Sequence, residues 1–170
     1  MGAAEDTVAR SGIKVACFHA DEFARAADRI RELKFLAPKM AIVVSSASEH
    51  PALILRCLIA GAVAYVFGAA PPEQFRQALS DAAQGRVYLS RRAWWAVLQY
   101  LRGLAVAHGT DHLTDSQAEM CIWLCSRPEM EVAQALAVPQ GTVHAHARAI
   151  YKKLAVHGRK GFLHLLNSAR

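Results

Sequence analysis

Apolar residues in the first ninety positions follow two alternating rhythms. Short runs with little polar interruption, Ile13–Phe18, Ala41-Ile42-Val43-Val44-Ser45 and Ala62–Phe67, read as buried strands. Between and after them, apolar positions recur at helical spacing. Phe23, Ala26, Ile30 and Leu33 do so within Asp21–Leu36, Pro51–Ala60 is apolar almost throughout, and Phe75, Ala78, Leu79 and Ala82 follow the Pro71-Pro72 pair. Pro38, Gly61 and Gly85 end these helices, because proline cannot continue a helix and glycine accepts the left-handed turn that closes one. The order is β-α-β-α-β-α. Strands without polar alternation, joined by helices, predict a parallel sheet covered on both faces.

The second half changes rhythm. Trp94, Trp95, Val97, Leu98, Leu101 and Leu104 mark Arg91–His108 as an amphipathic helix. The adjacent tryptophans are expected to bury against the first half or a second subunit, with ligand stacking as the alternative. The pattern lapses at Ala107–Asp111, around Gly109, which reads as a boundary. Thr114 and Gln117 then form a capping-box pair, and the helix to Cys125 turns Ala118, Cys121, Ile122 and Cys125 inward. Pro128 breaks it. Glu129–Ala137 reads as a second short helix, with Val132, Ala133 and Leu136 inward, and Val138-Pro139-Gln140-Gly141 as a turn. In the third helix Val143, Ala147, Ile150 and Leu154 form one buried stripe. His144, Arg148 and Lys152 recur every fourth residue on a different face, with Ala145 beside them. The chain thus divides into residues 1–90, a linker helix over 91–110, and a helical unit over 111–170.

Charge sharpens this picture. The chain has 170 residues and a formal net charge of +6, which by itself only mildly suggests a polyanionic partner. The distribution says more. From Thr142 to Lys160 the charged residues are Arg148, Lys152, Lys153, Arg159 and Lys160, with no acid among them, and His144, His146 and His157 add donors. Two short helices, a turn and a helix with a basic face fit a DNA major groove. No apolar run reaches the roughly 20 residues of a membrane span. Met1–Gly12 lacks the apolar core of a signal peptide. A soluble, cytoplasmic protein with no membrane partner is expected.

Candidate chemistry is sparse. Cys17, Cys57, Cys121 and Cys125 contain no CxxC pair, and buried reduced thiols are expected, with a redox or metal role as the alternative. His144 and His146, two residues apart, point to different helix faces and do not make a metal pair. No nucleophile–base pair, glycine-rich phosphate loop or ligand cluster stands out. An enzyme is not expected, nor is a cofactor or metal.

Two further segments carry a family resemblance. Ala60-Gly61-Ala62-Val63-Ala64-Tyr65-Val66 looks like the AGAxGY entry to the last strand of response-regulator receiver domains. Pro72-Glu73-Gln74-Phe75 through Tyr88-Leu89-Ser90 looks like the last receiver helix and the GxxYLS that leaves it. The resemblance spans roughly Ile13 to Ser90 and implies a truncated, degenerate receiver. Only its last three strands are present, and the strand bearing the magnesium-binding acids is missing. Phe18 and His19 stand where the phosphoacceptor aspartate is expected, and Gly68 where the lysine is. Ser45, at the threonine or serine position, and the switch aromatic Tyr65 remain. Phosphoryl transfer needs a carboxylate nucleophile, a metal and a cation on the phosphoryl oxygens, so no phosphorylation site is expected. Asp21 and Glu22 read as helix-dipole residues, or else as substitute acids. With its neighbours gone, Ile13–Phe18 becomes a sheet edge that invites pairing with a second copy. Alternatively, Met1–Gly12 and the linker helix cover it.

The C-terminal unit resembles the LuxR-type helix-turn-helix of the NarL/FixJ family over Leu113–Ala169. Leu113-Thr114, Glu119, Gly141-Thr142-Val143, His146, Ile150, Lys153-Leu154 and Val156 match its LTxxExE…GTVxxHxxxIxxKLxV motif. The resemblance implies a four-helix DNA-binding domain in which His144, Ala145 and Arg148 face bases while Thr142, Lys152 and Lys153 hold phosphates. It also implies a dimer seam on the last helix, Arg159–Ala169, through Phe162, Leu165 and Leu166. The loop Ser126-Arg127-Pro128-Glu129 is one residue short of the family form, His144 replaces a common lysine, and Ala145 and Ala149 shorten the reading surface. The expected protein is an α/β plus all-α regulator that binds double-stranded DNA as a homodimer, independent of aspartate phosphorylation. The alternative is a regulatory interaction protein that pairs with another regulator, through the receiver-like half, and binds DNA weakly or not at all.

Overall fold

The computed structural model describes residues 15–19, 23–107 and 112–168, without the side chains of Phe18, Phe23 and Ala24. The expectations for Met1–Gly12, Ile13, Asp21, Glu22, the boundary over residues 108–111 and Ala169 lie outside these residues. The elements run β1 (Val15–His19), α1 (Phe23–Leu36), β2 (Ala41–Ser46), α2 (Pro51–Ala60), β3 (Ala64–Phe67), α3 (Pro72–Ala83), β4 (Tyr88–Leu89), α4 (Arg91–Ala107), α5 (Asp115–Ser126), α6 (Glu129–Leu136), α7 (Gln140–Lys153) and α8 (Gly158–Ser168).

The strands form one parallel sheet in the order β1-β2-β3-β4, with Val15 opposite Ala41, Val43 opposite Ala64 and Tyr65 opposite Leu89. The fourth strand is an addition to the three read from the sequence. Two residues are too few to show a period. Backbone bonds hold it instead: the Tyr88 N–H donates to the Val63 carbonyl at 2.9 Å and the Ser90 N–H to the Tyr65 carbonyl at 3.0 Å.

Successive strand side chains point to opposite faces, and the two faces build two cores. Val43, Ala64 and Val66 meet Ala78 and Ala82 of α3, which packs on this face of the sheet. Ile42, Val44 and Tyr65 join α1, α2 and α4 on the other face. Helix α2 explains how the two halves meet. Ala52, Leu53, Ile54, Leu55, Cys57, Leu58 and Ala60 are all buried, so it is apolar nearly all round. A helix of that kind must be enclosed. Its second face is covered by α5 and α8, and the larger core runs without a break from Ile30 to Leu166. Helix α4 packs on α2, α5, β3 and β4 and is part of this core rather than a loose tether.

Among the described residues β1 pairs only with β2 and is an edge strand of the sheet, as expected from the sequence. Cys17 is exposed on it, whereas Cys57, Cys121 and Cys125 are buried, so the buried-thiol expectation fails for the edge cysteine alone. Two apolar side chains expected inside are not: Leu79 is 39% and Trp95 50% exposed, because each rides the margin of its helix's stripe. Trp94 is half-buried against the main core. Gly61 closes α2 at φ 113°, and a Cβ there would meet Lys34 Cγ at 2.9 Å, so the position needs glycine for both conformation and space. Among the described residues no helix is long and apolar enough to cross a membrane.

Candidate nucleic-acid interface

The interface is built on α5 to α8. At the start of α5 the Gln117 N–H donates to Thr114 Oγ1 at 3.3 Å and the Thr114 N–H to Gln117 Oε1 at 3.1 Å, the reciprocal capping box read from the sequence. The buried Ala118, Cys121, Ile122 and Cys125 anchor the helix. Burial raises the pKa of both thiols, as it does that of Cys57, which is pushed up to about 12. These are protonated packing groups, not nucleophiles. Among the described residues no three histidine, cysteine or acidic side chains gather as a metal site.

Helix α6 begins after Pro128 with Glu129 and Glu131 in its first turn, where acids suit the helix dipole. Ala137 ends it in the left-handed region at φ 52°, and Pro139 caps α7. Val143, Ala147, Ile150 and Leu154 are fully buried, as the stripe predicted. Tyr151 joins them, its ring 5.8 Å from that of Phe162. This packing fixes the roll of α7 and turns Thr142, His144, Ala145, Arg148 and Lys152 to the exposed side. A Cβ at Gly141 would meet nothing within 4 Å, so the helix N-terminus is open to an approaching phosphate.

Two of the expected contact residues have other engagements. His144 Nδ1 lies 2.9 Å from Glu129 Oε2, tying the α7 face to the start of α6. Lys153 is half-buried and its ammonium donates to the His112 carbonyl at 2.7 Å, so it holds the entry to α5 instead of reaching outward. Glu129 also faces Tyr151, whose hydroxyl is buried. Burial first, then the Glu129 charge, push that phenol up to about 12. No signal along the chain pointed to the Lys153–His112 contact, which spans 41 positions.

The expected seam on α8 is placed differently. Phe162 and Leu166 are fully buried inside the chain and Leu165 is half-buried, because α2 and α7 cover this stripe. Within the described residues, Phe162 and Leu166 are therefore not exposed to a second copy, and Leu165 is exposed in part.

At the receiver-like end, His19 Nδ1 lies 3.2 Å from Ser45 Oγ, where a carboxylate nucleophile was expected to be missing. Tyr65 is buried, with its hydroxyl donating to the Ser48 carbonyl at 2.7 Å. The Gly68 N–H donates to the Ser46 carbonyl at 2.7 Å, and this glycine brings no cation to the pocket.

A parallel sheet followed by a helical unit is the architecture that this chain shares with solved response regulators. No family model matches the chain. It is 23% identical over 137 residues to the transcriptional regulatory protein MctR of Rhizobium johnstonii, an alignment covering 80% of this chain. The chain spans 62% of the length of that curated relative. The RcsB response regulator of Salmonella typhimurium superposes with a TM-score of 0.53 at 16% identity, over 99% of this chain and 81% of RcsB. An RcsB–DNA complex gives a TM-score of 0.51 at 16% identity, over 99% and 82% of the two chains. At these identities the likeness to RcsB is one of fold.

Proposed function

We propose that the chain is a DNA-binding transcriptional regulator, acting as a homodimer and independent of aspartate phosphorylation. One observation carries the reading: the buried stripe of α7 holds Ala145, Arg148 and Lys152 together on an exposed, acid-free helix face behind an open N-terminus. In a helix-turn-helix the N-terminal part of the second helix reads base edges. Arg148 suits guanine, and the Ala145 methyl suits thymine. Thr142 and Lys152 supply phosphate contacts. His144 joins the bases once it leaves Glu129. MctR is named a transcriptional regulatory protein and RcsB has been solved on DNA, which agrees with this reading.

Phosphorylation independence rests on the receiver-like end, where His19 and Ser45 face each other and Gly68 replaces the cation. The receiver-like unit over residues 1–90 serves assembly, the unit over 111–170 reads DNA, and the helix in 91–110 joins them rigidly. Because α8 is occupied, self-pairing runs through the edge of β1, which among the described residues pairs on one side only. A second reading, a regulator that acts by pairing with another protein and binds DNA weakly or not at all, draws on the His144–Glu129 and Lys153–His112 contacts, which withdraw a histidine and a lysine from the face.

Selection from a random DNA pool, with Arg148→Ala in parallel, separates the two. Enrichment of a two-fold-related motif by the unsubstituted chain alone is the expected result. A motif without two-fold symmetry removes the homodimer, and no motif from either protein at low salt puts the protein-pairing reading in its place.

A further inference from the structure

The two halves do not close completely against each other. A cleft of about 640 Å³ remains between them, within the range of small-molecule sites. The receiver-like half contributes Lys34 and Lys39 from the end of α1 and the loop after it, and the helical half contributes Arg127, the C-cap of α5. A second, shallower space of about 450 Å³ continues past Arg127 and Glu131 to Arg86.

The charges on these walls are not balanced. Arg86 is paired with Asp81. Among the described residues, Lys34, Lys39 and Arg127 have no carboxylate within ion-pair distance, and Glu131 is the one acid lining the larger cleft. The Lys34 ammonium is fixed by donating to the Pro38 carbonyl at 2.6 Å and the Met40 carbonyl at 3.0 Å, which leaves a third N–H for a ligand. Arg127 is half-buried, its guanidinium 5.9 Å from the Trp123 ring centroid and close over the Gly85 turn of the other half. Burial and then the nearby Arg127 charge lower the Lys34 pKa, and burial lowers that of Arg127, with the Glu131 charge opposing both shifts. Like charges held together and partly dehydrated raise the energy of the closed arrangement, and an anion between them lowers it. The rest of the wall, including Met40, Val63 and Ala82, is apolar and suits an organic body.

We propose that the cleft between the two halves, with Lys34, Lys39 and Arg127 converging on it, binds a phosphorylated small molecule of nucleotide size that carries two or more phosphates. The two ammonium groups act as point charges, and the guanidinium presents paired N–H donors to phosphoryl oxygens. Because cations from both halves contact one molecule, binding tightens the closure that covers α8. The inference rests on the fold and its charges, and stands whether or not α7 reads DNA.

The test is calorimetric titration of the full chain with inorganic pyrophosphate, a nucleoside diphosphate and citrate, paired with thermal melts. Saturable binding of at least one phosphate probe is expected, with a rise in melting temperature that grows with its concentration. The nucleoside diphosphate is expected to bind more tightly than pyrophosphate if the apolar wall contributes. Equal affinity of the two assigns the site to the phosphates alone, and citrate binding as tightly as either removes the phosphate assignment. Arg127→Gln and, independently, the exposed charge reversal Lys39→Glu are each expected to weaken binding about tenfold or more. Lys152→Gln, exposed on α7 and outside the lining of the cleft, is expected to leave it unchanged. No saturable binding of any probe, or binding lost in Lys152→Gln but retained in Arg127→Gln and Lys39→Glu, overturns the proposal.

Discussion

Tyr65 is fully buried and its hydroxyl donates to the Ser48 carbonyl at 2.7 Å, while the Tyr151 hydroxyl is enclosed beside Glu129. Both are pushed up to about 12, Tyr65 by burial chiefly and by Cys57 in addition, Tyr151 by burial and then Glu129. The neutral phenol is therefore the folded form of each. In the unfolded chain they ionise near the ordinary 10. Between those values the folded state holds more protons than the unfolded one, so stability falls as pH rises. The contribution is complete below about 10 and is lost as pH climbs towards about 12. Phenolate absorbance in an alkaline titration should show Tyr65 and Tyr151 ionising late, together with unfolding, while burial also holds Tyr88 and Tyr100 above the ordinary phenol value. Tyr65→Phe should flatten the alkaline loss of stability by up to one proton while weakening the neutral-pH fold by about 1 kcal/mol for the lost hydrogen bond. Four tyrosines titrating together near pH 10 in a folded chain would contradict this burial.

At the scale of elements, the helix-turn-helix unit depends on how α5 starts, because its buried face positions α6 and α7. The Thr114 side chain satisfies one orphan N–H there and Gln117 returns the bond to Thr114. Thr114→Ala should cost about 1 kcal/mol, read as a lower urea midpoint at unchanged slope. Thr114→Asp should restore most of it, and no difference between Thr114→Ala and the unsubstituted chain would mean the cap is not formed in solution. This cap was legible in the sequence, as were Pro51–Ala60, the order of strands and helices through α3, and the α7 stripe, because each is written in local spacing. Other features were not. Tyr88–Leu89 is too short for a period, and it becomes a strand only through the Val63 and Tyr65 carbonyls. The apolar stripe of Phe162, Leu165 and Leu166 declared that α8 is covered, but a stripe does not say by what. The answer lay in α2, whose seven buried residues in ten positions exceed what one sheet face can enclose. At the interface, spacing put His144 and Lys153 on reachable faces, whereas Glu129 and the His112 carbonyl, which hold them, are set by packing between elements.

For the whole molecule, the decisive fact is that one apolar core includes strands of the receiver-like half and helices of the helical half. Phe162 on α8 and Ile42 and Val44 on β2 are fully buried members of the same cluster, joined through α2. If the halves were separate units in light contact, a cavity in α8 would weaken the helical half and leave the sheet unchanged. A continuous core makes the opposite demand. Removing the Phe162 ring takes support from α7 on one side and from α2 on the other, and α2 in turn backs the sheet. Phe162→Ala should cost about 3–5 kcal/mol, the range for emptying a large buried aromatic site. The loss should appear in both halves at once. Native-state amide exchange reads this directly, since the most protected amides open only with the unit that contains them. Protection at Val43 and Val44 in β2 should fall by the same free energy as protection at Ile150 and Tyr151 in α7. If β2 keeps its protection while α7 loses it, the halves unfold separately. The cover over α8 is then a loose contact, and the α8 stripe becomes available for self-pairing after all.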